Sequence, residues 1–261
     1  MKNMKIAILG AGNMGGAIAR GLARGRYVNA SDIIASNPSC AKLEKLKEEY
    51  PEMNVTGSNS EAVSGADIVI VAVKPWKMEE VIKPLCLRRP QVLVSVAAEV
   101  TFEDLTRWVD SKMTVFRMIP NTAIAISESL TLMAAHNASD KQTEMMLNLF
   151  NEMGVTVLTE ERLFPAGTSL ASCGIAYVLK YVQAAMQAGI ELGFKPQEAK
   201  KMVAQTMLGA ARLLLEDEQS HPAVEIEKVT TPGGMTIKGL NRLEHDGFIS
   251  AVINAIKESC I

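Results

Sequence analysis

The chain lacks several features that mark large classes of protein. Its four cysteines, Cys40, Cys86, Cys173 and Cys260, are scattered without a C-x-x-C pair, which argues against disulfides and fits a reducing cytoplasm. Its three histidines show no metal-ligand spacing, so we expect no metal site. No apolar run reaches membrane-span length, and the start lacks a signal-peptide pattern. A formal charge of −2 offers no basic face for nucleic acid.

The composition is that of a globular protein. Apolar residues make up 48% of the 261 positions and charged residues 21%, which excludes a disordered chain. A chain of this length can bury a large core and can form one or two domains. We therefore expect a cytoplasmic enzyme that binds neither membranes nor nucleic acid.

A glycine-rich turn directly follows the first apolar run. Residues 4–9 are typical of a buried parallel strand, and a helical pattern comes after the turn. Between them, Gly10, Gly12 and Gly15 form G-x-G-x-x-G, in the strand–turn–helix context that makes this motif specific. The first glycine makes the tight turn, the second lets the backbone approach a pyrophosphate, and the third lets helix and strand pack closely. The pattern predicts a doubly wound α/β sheet of the Rossmann type.

The second strand indicates which dinucleotide is bound. NAD-specific sites carry an acidic residue at the C-terminal end of this strand, where it holds the ribose 2′-OH. Here the strand is expected at residues 32–36, and its end is Ser36 followed by Asn37. Without a carboxylate to repel it, a 2′-phosphate can be accepted, and both side chains can donate to it. We therefore predict NADP, with NADPH preferred and NADH as the alternative because no arginine stands there.

Further strand signals continue to about residue 159. They are expected at residues 66–73, 91–96, 115–119, 130–134 and 155–159, with a helix at 140–153. Loops at the C-terminal ends of parallel strands line the cofactor crevice of such sheets. We therefore expect three loops, residues 73–75, 96–98 and 118–122, to face the cofactor.

Long helical patterns replace the strands in the remainder. They cover about residues 174–193, 197–217, 235–245 and 248–259, and they are apolar on more than one face. Helices of this kind need another surface to bury their apolar faces, and we expect that surface to belong to a second subunit. We therefore predict a Rossmann NAD(P)-binding domain at 1–159, followed by an all-α substrate-binding and dimerisation domain at 160–261.

Residues 229–244, VTTPGGMTIKGLNRLE, place a glycine turn before one of these helices. Glycines can adopt φ > 0, and the unpaired N–H groups of a helix start can bind small anions, carboxylates included. A capped surface helix is the alternative interpretation, in which Thr231 only caps the helix.

Six motifs together resemble the 1-pyrroline-5-carboxylate reductase family over nearly the whole length. They are GAGNMGGA at 10–17, AVKP at 72–75, PNT at 120–122, GIAY at 174–177, HPA at 221–223 and the segment at 229–244. The resemblance implies reduction of 1-pyrroline-5-carboxylate to L-proline with NAD(P)H, the last step of proline biosynthesis. It also implies a Rossmann domain and a helical domain that interlocks into a homodimer or a larger ring.

The resemblance also implies a mechanism. The substrate carboxylate would lie on the N–H groups of Met235 and Thr236, helped by the Thr236 hydroxyl, so that positioning supplies most of the catalysis. Glu218 matches a carboxylate near the ring nitrogen, where an anion favours the iminium. Thr168 and Glu161 match positions beside the site. The predicted catalytic residues are Thr168, Glu218 and Thr236, and the predicted substrate-binding residues are Asn121, Thr231, Gly234, Met235 and Thr236.

The glycine motif and the resemblance together define a cofactor set. Asn59 belongs to it by resemblance, near the adenosine ribose, although taken alone it fits a helix N-cap better. Tyr177 matches the family too, but a packing role suits it better. The predicted cofactor-binding residues are Gly10, Gly12, Asn13, Met14, Gly15, Ser36, Asn37, Asn59, Ala72, Val73, Lys74, Pro75, Val96, Ala97 and Ala98.

The chain departs from the family pattern at several positions. The usual S-G-S-G-P-A-Y is A-S-C-G-I-A-Y at 171–177, and Glu99, Ala123 and Pro165 replace family residues. A reductase of a related small cyclic imine therefore stays open, as does a non-catalytic NADP-binding regulatory protein. A β-hydroxyacid dehydrogenase would need a catalytic lysine, and the surroundings of Lys180 do not match that family.

Overall fold

The computed structural model describes residues 4–217 and 219–260. Contacts divide the chain into two compact units, Met1–Ser172 and Cys173–Ile261, which we call the N-terminal and C-terminal units. This division falls within a π-helical turn, thirteen residues after the predicted domain boundary at 159/160, which stays a prediction.

An eight-stranded sheet, as far as residues 4–172 show it, forms the centre of the N-terminal unit. Its spatial order is β3-β2-β1-β4-β5-β6-β7-β8, in which β7 runs antiparallel to β6 and the other neighbouring pairs are parallel. The sequence did not indicate the short strand β3. The strands are β1 (Ile6–Leu9), β2 (Ile33–Ser36), β3 (Asn54–Thr56), β4 (Ile68–Val71), β5 (Val92–Ser95), β6 (Thr114–Ile119), β7 (Ser129–His136) and β8 (Gly154–Leu158).

In the described part of this unit, six α-helices lie between the strands and a seventh follows β8. They are α1 (Asn13–Arg24), α2 (Cys40–Glu49), α3 (Asn59–Val63), α4 (Met78–Ile82), α5 (Phe102–Trp108), α6 (Asp140–Asn151) and α7 (Phe164–Gly167). Short 3₁₀ helices lie at Ala30–Asp32, Pro75–Lys77, Lys83–Leu85, Thr122–Ile126 and Glu161–Leu163, and a π-helical turn spans Thr168–Cys173.

Apolar clusters cover both faces of the sheet. The central strands β1, β4 and β5 are buried at every position, as expected of parallel strands with both faces covered. Ile8 and Phe150 belong to one cluster, and Leu9 and Leu105 to another. Burial on both faces leaves the strand ends as the places where polar groups can meet a ligand.

The C-terminal unit contains five helices in its described part. They are α8 (Gly174–Glu191), α9 (Pro196–Glu216), α10 (Pro222–Lys228), α11 (Met235–His245) and α12 (Phe248–Glu258). The sequence indicated all of these except α10. Large apolar side chains are exposed here, including Leu215 at 78% and Ile249 at 50%, as the multi-faced apolar patterns predict. Across residues 4–217 and 219–260, no helix is long and apolar enough to cross a membrane.

Candidate functional site

The three motif glycines lie where the sequence predicts, between β1 and α1. Gly10 has φ +97°, and an added Cβ would come within 2.8 Å of the Ala72 carbonyl oxygen. A Cβ on Gly15 would be 1.9 Å from the carbonyl oxygen of Gly10, so the helix packs directly on the turn. A Cβ on Gly12 would meet nothing within 4 Å. Two glycines therefore make the turn possible, and the third leaves open space above it.

This turn meets the requirements of a dinucleotide pyrophosphate. Helix α1 begins after Gly12, which makes no side-chain cap, so the first N–H groups, from Asn13, Met14 and Gly15, start the helix without a capping oxygen. An anion is the natural partner for such a helix start, and the space above Gly12 admits one. The residues present therefore fit NAD(P).

Asn37 holds the glycine turn from the neighbouring strand. Its Oδ1 accepts the Ala11 N–H at 3.1 Å, and its Nδ2 donates to the Ser39 carbonyl at 3.2 Å. The side chain is buried. Asn37 thus has a structural use that the sequence did not indicate, and its direct contact with a 2′-phosphate stays a prediction.

Ser36 and Asn59 meet across 23 positions of sequence. The Ser36 hydroxyl donates to Asn59 Oδ1 at 2.6 Å, and Ser36 is fully buried. Because Oδ1 accepts this bond, the amide nitrogen of Asn59 is the group left to donate to a ligand. The N-cap interpretation of Asn59 is wrong by one position, since Ser58 caps α3 by accepting the Glu61 N–H.

The strand register brings the other cofactor loops to the same edge. Leu9 pairs with Val71, and Val71 pairs with Ser95, so the glycine turn adjoins the loops that begin at Ala72 and Val96. The loop after β4 contains Val73, Pro75 and Lys74, whose Nζ lies 5.8 Å from the centroid of the exposed Trp76 ring. The loop after β5 contains Ala97, buried, and Ala98, exposed.

Asn121 follows β6 at this edge, and its polar groups form hydrogen bonds with neighbouring protein groups. Its Oδ1 accepts the Ala123 N–H at 3.0 Å, and its Nδ2 donates to the Ala171 carbonyl at 3.4 Å. Its N–H donates to the Ser129 hydroxyl at 3.1 Å. Asn121 therefore ties the β6 end to the π-helical turn, and its contact with substrate stays a prediction. Thr168 is the first residue of that turn, a type of structure often found at functional sites.

The turn before α11 has the geometry of an anion site. Gly233 has φ +71°, and Gly234 is the N-cap without any side-chain cap. Within the described residues, the N–H groups of Met235 and Thr236 have no turn or side-chain acceptor. A Cβ on Gly234 would lie 2.6 Å from the Thr231 hydroxyl. Both glycines are therefore required, one for its φ and one for space.

The contacts of Thr231 and Tyr177 decide between the alternative roles that the sequence left open for each. Thr231 does not cap α11 with its hydroxyl; instead its backbone carbonyl accepts the Gly234 N–H at 3.0 Å. The Tyr177 hydroxyl donates to the Ala255 carbonyl at 3.3 Å, which agrees with a packing role. Glu218, predicted to lie near the ring nitrogen, falls outside the described residues.

The start of α10 precedes the glycine turn and is held by polar contacts. His221 Nδ1 accepts the Ala223 N–H at 3.2 Å and caps the helix. Bonds from the Lys228 ammonium and the Ser220 hydroxyl lower the pKa of the Glu225 carboxyl. The HPA motif therefore acts here as a helix start. Among the described residues, no group of three His, Cys, Asp or Glu side chains could hold a metal ion.

Comparisons with known proteins match both parts of the chain. A family described as "Pyrroline-5-carboxylate reductase dimerisation" matches residues 161–260, and one described as "NADP oxidoreductase coenzyme F420-dependent" matches residues 5–99. Pyrroline-5-carboxylate reductase 1 of Dictyostelium discoideum is 38% identical over 97% of this chain, which spans 48% of that relative. Pyrroline-5-carboxylate reductase 2 of the same organism is 33% identical over 97% of this chain and 90% of its own length.

A solved structure extends the similarity to the whole fold. The crystal structure of Plasmodium falciparum pyrroline carboxylate reductase with NADP bound has a TM-score of 0.89 with this chain. The identity is 25%, and the match covers 100% of this chain and 97% of that one.

Proposed function

This chain belongs to the pyrroline-5-carboxylate reductase family, and from that premise we propose that it reduces 1-pyrroline-5-carboxylate to L-proline with NAD(P)H, the last step of proline biosynthesis. The observation that carries this proposal is the turn before α11, in which two required glycines precede the uncapped N–H groups of Met235 and Thr236. The same chain has an equally uncapped glycine turn before α1. One turn suits a carboxylate and the other a pyrophosphate.

The substrate carboxylate is bound by the start of α11. Its oxygens accept from the N–H groups of Met235 and Thr236 and from the Thr236 hydroxyl. A two-point hold of this kind fixes the orientation of a small ring, which reduces the entropy cost of reaching the reactive geometry. Thr231 sets the shape of the turn through its carbonyl. Thr168 stays a predicted catalytic residue, on the strength of its match to a family position.

The cofactor is bound by the edge of the sheet in the N-terminal unit. When bound, NADPH supplies the hydride that reduces the imine carbon. The end of β2 has no carboxylate to repel a 2′-phosphate, and the Asn59 amide nitrogen is available to donate to it. This supports NADPH as the preferred cofactor and NADH as a slower alternative.

The imine nitrogen must carry a proton to become a good electrophile. A protonated imine needs no strong general acid, because the protein has only to stabilise its positive charge. We assign that task to Glu218, on the strength of its match to a family carboxylate.

The active form is proposed to be a homodimer or a larger homo-oligomer in the cytoplasm. The exposed apolar side chains of α9 and α12 support self-association, since surfaces of this kind are usually covered. All four cysteines are free, which supports a reducing compartment.

The test is to follow NADPH oxidation with 1-pyrroline-5-carboxylate, with NADH in parallel, and to identify the product. Turnover to L-proline, faster with NADPH, is the expected result. If folded protein binds NADPH without oxidising it, a six-membered cyclic imine carboxylate is assayed next. Turnover of only that imine would move the substrate to a related ring, and no turnover with either would leave a non-catalytic NADP-binding protein. Formation of a ternary complex with L-proline and NADP⁺ separates a reductase from such a regulator.

A further inference from the structure

One arginine lies inside the sheet of the N-terminal unit. Arg117 is on β6, and its side chain is only 3% exposed, on the face of the strand opposite to the fully buried Phe116 and Met118. A guanidinium stays charged, so its burial is unfavourable unless it is paired and hydrogen-bonded. The contacts that Arg117 makes must therefore offset this penalty.

The contacts of this guanidinium join three segments. Nη1 donates to the Glu161 carboxylate at 2.5 Å, and Nη2 donates to the Ala98 carbonyl at 2.5 Å. The Phe164 ring centroid lies 4.7 Å from its central carbon. Glu161 also accepts the N–H of Phe102, the first residue of α5, at 2.7 Å. Arg117 therefore holds the loop after β5 against the start of α5 and the segment that precedes Thr168.

The loop after β5 is a turn whose central peptide is held in one orientation. The Val100 N–H donates to the Ala97 carbonyl at 3.5 Å, so Ala98 and Glu99 are the central residues. Glu99 does not have positive φ, which excludes a type II turn. In a trans peptide the C=O and N–H point in opposite directions. Because Arg117 holds the Ala98 carbonyl, the Glu99 N–H points away from the guanidinium.

That N–H is available to a ligand. Neither the Ala98 N–H nor the Glu99 N–H has an acceptor in the described part of the chain, and both residues are exposed. The turn lies at the C-terminal end of a parallel strand, where such sheets bind their ligands. A carboxamide oxygen is an acceptor of the right kind, and the nicotinamide ring has one.

We propose that Arg117 is a positioning residue for hydride transfer, which orients the Ala98–Glu99 peptide so that the Glu99 N–H binds the carboxamide oxygen of the nicotinamide. This inference rests on the proposed function, because it requires the cofactor to bind along this edge. Arg117 acts through the turn and touches neither cofactor nor substrate. Glu161 holds the Arg117 guanidinium in place, and this contact explains why residue 161 carries a carboxylate.

The test compares NADPH with reduced thionicotinamide-NADP, whose sulfur accepts hydrogen bonds weakly. The variants are Arg117→Met, Arg117→Lys and the matched control Arg107→Met, which removes a surface arginine paired with Glu103 on α5. We expect both Arg117 variants to lower kcat/KM for NADPH about tenfold, the effect of one lost hydrogen bond. The kcat/KM for the thio analogue should fall much less, so the preference for NADPH over the analogue should become smaller. The control variant Arg107→Met should keep the wild-type preference.

Arg117→Lys keeps the charge beside Glu161 but cannot make the forked contact, so it tests the inference if Arg117→Met fails to fold. An equal loss with both cofactors, or an unchanged preference for NADPH, would overturn the inference. If the wild-type protein does not turn over any imine, the proposed function fails. The preference for NADPH over the thio analogue is then measured by calorimetry, as the ratio of their Kd values. A wild-type ratio unaffected by either Arg117 variant would overturn the positioning role independently.

Discussion

Several buried polar side chains of the N-terminal unit hold backbone groups of distant loops. Asn37 accepts from Ala11, and Arg117 donates to the Ala98 carbonyl. Asn121 joins the end of β6 to the π-helical turn. Each satisfies main-chain groups that would otherwise be unpaired, which is costly in a low-dielectric interior. Substitutions at these positions should therefore act on the placement of loops.

Thr236→Ala tests the carboxylate site. The variant loses one hydrogen bond to a charged group and keeps both backbone N–H donors, so we expect a higher KM for the imine and a loss of about 1–3 kcal/mol in kcat/KM. Thr236→Ser, which keeps the hydroxyl, is the matched control and should stay near wild type. Steady-state kinetics measure both, and unchanged kinetics in the alanine variant would remove Thr236 from the site.

Ser36→Asp tests whether the end of β2 recognises the 2′-phosphate of NADPH. A carboxylate at the end of β2 repels that phosphate and can accept from a ribose hydroxyl, so the ratio of kcat/KM for NADPH to that for NADH should fall, by at least about tenfold. Ser36→Ala removes only the bond to Asn59 and separates the added charge from the lost contact. A ratio that the aspartate leaves unaltered would mean that the phosphate is recognised elsewhere.

Helix starts divide into two kinds in this molecule. Helices α5 and α6 begin with complete capping boxes, Thr101 with Asp104 and Ser139 with Gln142. Helices α1 and α11 begin at Gly12 and Gly234, without side-chain caps. A side-chain cap occupies the N–H groups that a ligand would need. Helices α5 and α6 are therefore complete in themselves, whereas the glycine turns before α1 and α11 leave N–H groups that suit an anion.

Asp104→Asn tests the capping box of α5 through its pH dependence. Bonds from the Thr101 hydroxyl and N–H lower the pKa of Asp104. A carboxyl with a lowered folded-state pKa stabilises the fold fully above its unfolded pKa of about 3.9, and this contribution is lost as the pH falls through the folded value. The variant should be less stable than wild type near neutral pH, by about 0.5 kcal/mol. Thermal unfolding should show this difference shrinking below about pH 4, and a difference independent of pH would contradict it.

The C-terminal unit taken alone leaves much apolar surface uncovered. On α12, Ile249 and Ile253 are 50% and 49% exposed and lie four residues apart, on one face of the helix. On α9, Leu213 and Leu215 are 55% and 78% exposed. Exposure on this scale is typical of surfaces that another subunit covers.

The double variant Ile249→Glu with Ile253→Glu tests self-association. Two carboxylates on this face would have to be buried in an interface, so the oligomer should dissociate to a smaller species. Light scattering after size-exclusion chromatography measures the mass. Asn254→Glu, on the same helix, adds charge at a polar position and should keep the wild-type mass. An oligomer unchanged by the double variant would place the interface elsewhere.

Local pattern was enough to predict most elements and the ligand-binding turns. In the sequence, strands buried on both faces appear as short continuous apolar runs. Long helices appear as apolar residues that recur with helical spacing. Glycine at Gly10 and Gly233 marks a positive φ that other residues adopt only with strain. Three-residue β3 and seven-residue α10 were missed because so few positions do not establish a period.

The sequence by itself therefore determined the class of fold, the two glycine turns and the family to which the chain belongs, since all three depend on neighbours in the chain. Tertiary structure alone decided that Asn37 binds Ala11 across 26 positions and that Arg117 binds Glu161 across 44. It also decided that β7 runs antiparallel to β6. These features depend on which segments the folded sheet brings side by side, and no local periodicity carries that information.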